Sequence, residues 1–281
     1  MDKKRTRKIW NMWDFLAYIL LIAITFICVV PFYSMFVNAT LPSATITTSF
    51  RLIPGRHLLI NYREIIGVVN VWRGMFNSVF ISVLSVIGAV YLSGLTAYGF
   101  AKFRFKYNNA LFWVLLATMM LPAHLGIIGV FQLMHGLNLL NSHFSLILPA
   151  AVNAAAVFFI RQYIEGYFPD SIMESGRIDG CSELRIFHQL ALPIIRPALA
   201  TQAIFIFVGS WNNFIGPLIL LFDSEKFPLP VMIQQLNASF GARDFGAIYL
   251  GLTIAVIPIL IFFIFCSQYV VKGLMMGSVK G

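Results

Sequence analysis

Amide and aromatic side chains are the groups in this chain that could bind a polar ligand within its apolar stretches. Asn153, Gln202 and the run Trp211-Asn212-Asn213 interrupt segments that are otherwise apolar. A polar group in an apolar span is costly unless it faces protein or water. Amides hydrogen-bond hydroxyl groups in both directions, and an indole ring stacks on a sugar face. The pattern favours a solute pathway, with hydrogen bonding between helices as the alternative interpretation.

A charged stretch, residues 169–197, lies between two apolar segments and reads PDSIMESGRIDGCSELRIFHQLALPIIRP. We call it the charged loop. Asp170 or Ser171 can cap a helix there, and Glu174 stands three residues after Ser171, as a capping box requires. This spacing predicts a short helix that ends before a left-handed turn at Gly180.

A second short helix is predicted from about Ser182. Its apolar side chains recur at helical spacing on one face: Leu184, Phe187 and Leu190. Leu192-Pro193 is predicted to end this helix, and Pro197 to open the next membrane helix. An ordinary amphipathic loop at a membrane surface is the alternative interpretation of the whole stretch.

Few features of the sequence support a catalytic or a metal-binding function. No Walker A sequence is present, so we expect no ATP hydrolysis by this chain. No nucleophile–base constellation is recognisable, and the three cysteines and five histidines lack metal-ligand spacing. We therefore expect neither catalytic nor metal-binding residues.

The composition indicates a lipid environment. Hydrophobic residues make up 59% of the chain and charged residues only 11%, against about 25% charged in a typical soluble domain. The net charge of +9 is better explained by basic residues in cytoplasmic loops than by nucleic-acid binding.

Uncharged stretches of about 20 residues or more predict an all-α, polytopic membrane protein with about six transmembrane helices. A polar patch at 135–143 divides the longest of these stretches into two spans. The predicted helices lie near residues 15–37, 76–100, 108–133, 144–164, 199–222 and 245–270.

Lys and Arg residues give this arrangement an orientation. With the N-terminus inside, the inside segments hold 14 of them and the outside segments 6. The excess places both termini, and with them the charged loop, in the cytoplasm.

The charged loop resembles the EAA motif of ABC-importer permeases. Glu174, Gly180 and Leu192-Pro193 stand at the family's spacings, while Ser175-Gly176 replace the two alanines. TAYGFAKFRF at 96–105, SWNNFIGPLI at 210–219 and the ending GLMMGSVKG extend the similarity to MalG-like subunits of the carbohydrate-uptake branch.

The resemblance implies a type I ABC importer transmembrane fold in a multi-pass protein of the bacterial cell membrane. Its implied regions are a basic N-terminus (1–14), a first helix (15–37), a core (72–271) containing the charged loop, and a cytoplasmic tail (272–281). The implied ATPase-coupling residues are Glu174, Ser175, Gly176, Asp179, Gly180, Phe187, Leu192 and Pro193.

The same resemblance implies several partners. These are a second homologous permease, a cytoplasmic ABC ATPase dimer, an extracytoplasmic solute-binding protein and a sugar or oligosaccharide. ATP and Mg would bind to the ATPase, and no cofactor to this chain. A stand-alone secondary transporter or channel is the main alternative, although the apolar spans carry acidic residues only at their ends, Asp14 and Glu165.

Overall fold

The computed structural model describes residues 12–239 and 244–278, and helices are the only regular secondary structure within these ranges. In chain order they are α1 (Met12–Asn38), α2 (Ser43–Thr48), α3 (Leu58–Val68), α4 (Val71–Lys102), α5 (Asn108–Met119), α6 (Ile127–Gly136), α7 (Phe144–Ala150), α8 (Ala154–Tyr167), α9 (Asp170–Ile178), α10 (Glu183–Ile186), α11 (Leu192–Trp211), α12 (Ile215–Leu220), α13 (Leu229–Ser239) and α14 (Phe245–Ser278). A π-helical segment, Phe187–Ala191, joins α10 to α11. The all-α class is confirmed.

Five segments of the described chain are long and apolar enough to cross a membrane. They are Met12–Asn38, Val71–Lys102, Phe144–Tyr167, Glu183–Trp211 and Phe245–Cys266. The prediction of one continuous helix over 108–133 is wrong, because α5 and α6 occupy this stretch as two shorter apolar helices. Pro122 separates them: it lacks a backbone N–H and disfavours helical geometry at the residue before it.

Two other predicted spans are also interrupted. The span predicted over 144–164 breaks between α7 and α8, where Asn153 caps the second helix. The span predicted over 199–222 begins earlier and ends at Trp211, after which the chain turns and forms α12. Hydropathy averaged over a window does not reveal such breaks, because the residues that form them are few.

The described residues form two compact units. The first contains the chain up to Val68 together with Leu236–Ile254, and the second contains Val69–Gln235 and the chain from Ala255 onward. The predicted N-terminal region falls mostly outside the described residues. The backbone of the predicted tail is helical as far as Ser278.

The core of the second unit forms where α4 packs against α8 and α11. Ala89 and Ala97 on α4 are fully buried and allow the helices to approach closely. Tyr98 on the same helix contacts the rings of Phe168 and Phe187, with centroid distances of 6.1 Å and 5.4 Å. These rings tie the charged loop to the membrane helices.

Polar contacts hold the first unit together around the start of α14. The buried side chain of Asn61 donates to the carbonyl oxygens of Ala39 and Leu41, at 2.8 Å and 3.1 Å. The Ser43 hydroxyl donates to Asp244 Oδ1 at 2.6 Å, which fixes the chain after α1 to the residue before α14. The two Asn61 bonds satisfy backbone carbonyl groups that no helix pairs.

The side chain of Glu64 on α3 faces the carboxylate of Asp244. A side-chain hydrogen bond with Asp244, burial, and the negative charge of Asp244 together raise the pKa of Glu64 to about 7. The two acidic side chains therefore share a proton at neutral pH.

This pair predicts that the first unit is more stable at mildly acidic than at alkaline pH. Glu64 keeps its proton up to pH about 7 in the folded chain, while the ordinary pKa is 4.5. The folded chain thus binds more protons between these values, and its stability falls as the pH rises through them. We expect the melting temperature in detergent to be lower at pH 8 than at pH 5, and Glu64→Gln to flatten this difference.

The matched control for this experiment is Glu225→Gln, which alters an exposed glutamate paired loosely with Arg73 at 3.8 Å. It should keep the pH dependence of the parent chain. Equal pH profiles for the parent and Glu64→Gln chains would contradict the shared proton.

Candidate functional site

The first helix of the charged loop starts two residues earlier than a capping box at Ser171 would place it. Pro169 is the N-cap in extended geometry, without a side-chain cap, so the predicted cap at Asp170 or Ser171 is wrong. Asp170 is instead the first helical residue and accepts a hydrogen bond from Lys102 Nζ at 2.6 Å. The hydrogen bond and the charge of Lys102 hold the pKa of Asp170 below its usual value.

The turn after α9 has the predicted left-handed residue. Gly180 has φ of +76°. The N–H of Cys181 bonds the carbonyl of Gly176, and the N–H of Gly180 bonds that of Arg177, both at 3.0 Å. This pair of bonds is a Schellman motif, which satisfies the last carbonyls of the helix.

A side-chain ion pair closes the same turn. Arg177 Nε donates to Glu183 Oε1 at 2.6 Å, joining α9 to α10. The backbone motif and the ion pair together make the two short helices one structural piece.

The second stretch of the loop does not end at Leu192-Pro193 as predicted. It passes through the π-helical segment into α11 without a break, and Pro197 lies inside α11. Pro193 has no N–H for the carbonyl four residues earlier, while the N–H of Leu192 reaches back five residues to Phe187. The π turn is wider than an α turn, and it leaves room for Pro193 in the first turn of α11.

The loop has a buried and an exposed face. Phe187 is fully buried, and Gly176 packs so closely on Ile186 and Leu190 that a Cβ atom would lie 3.0 Å and 3.1 Å from them. The small size of Gly176 thus serves packing within the loop. The exposed side chains include acidic, hydroxyl, apolar and basic groups: Glu174, Ser175, Ile178, Asp179, Leu184, Arg177 and Arg185.

Two of the five residues predicted for a solute pathway line the same cavity. Asn153 and Asn213 line a cavity of about 240 Å³ within the second unit. Its walls also carry the hydroxyls of Ser78 and Ser210 and the ring of Phe205. A cavity of this kind offers hydrogen-bonding groups beside an aromatic surface, which suits a polyhydroxyl ligand.

Both amides of the cavity also hold the backbone at a helix break. Asn153 Oδ1 accepts from the N–H of Ala156 at 2.9 Å, and Asn213 Oδ1 accepts from that of Gly216 at 3.1 Å. Neither of these bonds joins two membrane helices. Each amide oxygen is thus used locally.

The other predicted pathway residues lie outside the cavity lining. Trp211 is 1% exposed, and its Nε1 donates to the carbonyl of Ala255 at 3.1 Å. Its ring stacks on Phe207, so its role in this conformation is to pack the helices. Gln202 is buried on α11 and Asn212 is exposed, and neither lines the cavity.

Sequence reasoning did not select Ser78 or Ser210 for the cavity. Hydroxyls are frequent along α4, where Ser82, Ser85 and Ser93 are also buried, so a serine alone gives little signal. The signal available for Ser210 is its position at the end of α11, near Pro217, whereas Ser78 lies inside the continuous helix α4.

Comparison with protein families gives one extended match. Residues 89–275 match the family described as binding-protein-dependent transport system inner membrane component. The matched range contains the charged loop and all the polar cavity residues except Ser78.

Two bacterial relatives are similar over most of the chain. The arabinooligosaccharides transport system permease protein AraQ of Halalkalibacterium halodurans is 39% identical over 75% of this chain and 75% of its own length. The polygalacturonan/rhamnogalacturonan transport system permease protein YtcP of Bacillus subtilis is 31% identical over 96% of this chain and 99% of its own.

A solved structure has a similar fold. It comes from a bacterial ABC transporter involved in the import of the acidic polysaccharide alginate, and it matches with a TM-score of 0.81 at 21% identity. The match covers 93% of this chain and 99% of the other.

The packing of Gly176 yields a test of the loop's geometry. Gly176→Leu should push α9 away from Ile186 and Leu190, because the new side chain has no space. We expect a loss of about 1–3 kcal/mol in stability, as for other overpacked sites. Faster tryptic cleavage at Arg177 and Arg185 would report the displaced helix.

Ser175→Leu is the matched control, since Ser175 is the preceding residue and is exposed. It should leave the melting temperature and the cleavage rate close to those of the parent. A Gly176→Leu chain as stable and as resistant as the Ser175→Leu chain would contradict the packing described.

Proposed function

Because the chain belongs to the family of binding-protein-dependent transport system inner membrane components, we propose that it forms half of the pathway of an ATP-driven importer of a sugar or oligosaccharide. Family membership makes it a multi-pass membrane protein and a non-catalytic permease subunit of an ABC transporter. The fold is that of a type I importer.

The cavity lined by Asn153, Asn213, Ser78 and Ser210 carries the proposal. Two amides and two hydroxyls beside the ring of Phe205 match the hydroxyl groups and apolar faces of a sugar. No charged side chain lines this cavity, so the solute it accepts is recognised by hydrogen bonds rather than by ion pairing. The arabinooligosaccharides named for AraQ agree with this chemistry.

The charged loop is the proposed site of coupling to the ATPase. The excess of basic residues in one set of segments supports placing this loop, and both termini, in the cytoplasm. Its exposed face offers the carboxylates of Glu174 and Asp179 beside two apolar side chains, Ile178 at 86% and Leu184 at 59% exposure. Apolar side chains so exposed on a rigid loop favour insertion into a groove of a partner.

The remaining partners follow from this role. A second homologous permease would complete the pathway, and a solute-binding protein would deliver the sugar from outside. ATP and Mg would bind to the ATPase dimer and not to this chain. The coupling residues Glu174, Ser175, Gly176, Asp179, Gly180, Phe187, Leu192 and Pro193 would act by shaping the loop and its contacts.

Coupling through Ile178 predicts that a charge there weakens binding of the ATPase. Ile178→Asp should reduce co-purification of the ATPase about tenfold or more, because a buried apolar contact would be replaced by an unpaired carboxylate. The amount of ATPase retained on the purified membrane complex measures this effect.

Ile53→Asp is the matched control, because it changes the same residue type at 79% exposure in the first unit. It should retain the ATPase fully. Undiminished ATPase binding by the Ile178→Asp chain, with normal solute-stimulated hydrolysis, would refute this docking site.

The cavity predicts a specific role for Asn213. Asn213→Ser keeps an oxygen that can accept from Gly216 and removes the amide donor. Loss of one hydrogen bond to the solute should raise the half-saturating concentration for transport about fivefold, with the maximal rate less affected.

Asn212→Ser makes the same change at the neighbouring residue, which lies outside the cavity lining. Its half-saturating concentration should stay near that of the parent. Equal values for both variants would remove Asn213 from the solute pathway.

A further inference from the structure

The last residue of α4 makes an ion pair with the first residue of α9, and the lysine side chain of this pair is nearly buried. The Lys102 side chain is 6% exposed, and its Nζ lies 2.6 Å from Asp170 Oδ1, while the Asp170 side chain is 71% exposed. The ammonium group also lies 5.3 Å from the centre of the Phe168 ring. This pair joins a long membrane helix to the charged loop.

Helix dipoles support the pair at both ends. A cation is favoured at the C-terminus of a helix and an anion at the N-terminus. Lys102 and Asp170 occupy these two positions. Removing the carboxylate would leave a largely buried ammonium group without its ionic partner, which is unfavourable.

The α4 helix is a direct route from this pair to the cavity. Ser78 and Ile81 of α4 line the cavity, and Lys102 lies 24 residues beyond Ser78 on the same helix. At 1.5 Å per residue this separation is about 36 Å. A shift of one end of this continuous helix therefore moves the other.

Covalent routes from the loop to the cavity run through α8, whose N-cap residue Asn153 lines the cavity, and through α11. Phe205, Ile206 and Ser210 of α11 line the cavity, but the π-helical segment separates this helix from α9 and α10. The route through α11 thus contains a wide turn, whereas the route through Lys102 contains a short ion pair between the ends of two regular helices.

We propose that Lys102 and Asp170 are positioning residues that make α4 move with α9, so that displacement of the charged loop also moves the Ser78 wall of the cavity. This proposal rests on the proposed function, because an ATPase must displace the loop. Without the pair, the ATPase still binds and hydrolyses ATP, but the Ser78 wall no longer follows the loop. The result is ATP hydrolysis with less transport.

The experiment compares transport with ATP hydrolysis in the complete complex reconstituted into lipid vesicles. Asp170→Asn and Lys102→Met each remove one charge, and the double variant removes both. Asp170→Glu keeps the carboxylate. Glu165→Gln is the matched control, because it removes a carboxylate paired at 2.9 Å with Arg161 within a single helix, α8.

Each single neutralisation should lower the solute transported per ATP about fivefold, at the lower end of measured coupling between sites. The double variant should lose no more than the worse single variant, because both remove the same interaction. Asp170→Glu and Glu165→Gln should retain most of the parent ratio. ATPase retained on each complex should equal that of the parent.

The outcomes separate this inference from the proposed function. An unchanged transport-to-ATP ratio in Asp170→Asn, or losses that multiply in the double variant, would overturn the pair as a coupling device while the importer function stands. Absence of the Asp170→Asn chain from the membrane, with Glu165→Gln present, would assign the pair to folding and also overturn it. A parent chain that retains no ATPase would refute the proposed function itself.

Discussion

Backbone hydrogen bonding in an apolar environment is the constraint on which this structure depends. Every N–H and C=O group that a helix does not pair needs another partner, because lipid supplies none. The chain breaks its helices at 151–153 and 212–214, and an asparagine side chain accepts a backbone N–H beside each break. These breaks line the cavity, so the residues that make irregular backbone tolerable are also those available to a solute.

The constraint changes the interpretation of the polar residues. The sequence left two readings for amides in apolar helices, a solute pathway or bonds between helices. Asn153 and Asn213 bond their own backbone and line the cavity, while Trp211 bonds a carbonyl of α14. Whether a polar residue lines the cavity or bonds another helix depends on where its own helix ends. A few residues decide where a helix ends, such as Pro217 near Asn213.

Local signals in the sequence were reliable where one residue type decides the conformation. Gly180 has the positive φ expected of a turn glycine, and the helix before it ends at Ile178. The continuous helix over 108–133 and the helix end at Leu192-Pro193 were wrong. Both errors arose from prolines: Pro122 divides an apolar run that hydropathy joins, whereas Pro193 is tolerated by the π-helical segment before it. The ion pair of Lys102 with Asp170 joins residues 68 positions apart and follows only from the fold.

The π-helical segment determines the direction in which the charged loop faces. A π turn contains one more residue than an α turn, and each residue of an α-helix advances the chain by about 100° around the axis. The extra residue between Phe187 and Ala191 therefore sets the azimuth of α9 and α10 about the axis of α11. The number of residues in this one turn therefore determines the direction in which the exposed side chains of Ile178 and Glu174 point. In this subunit the direction of the loop depends on that number as well as on the chemistry of the residues.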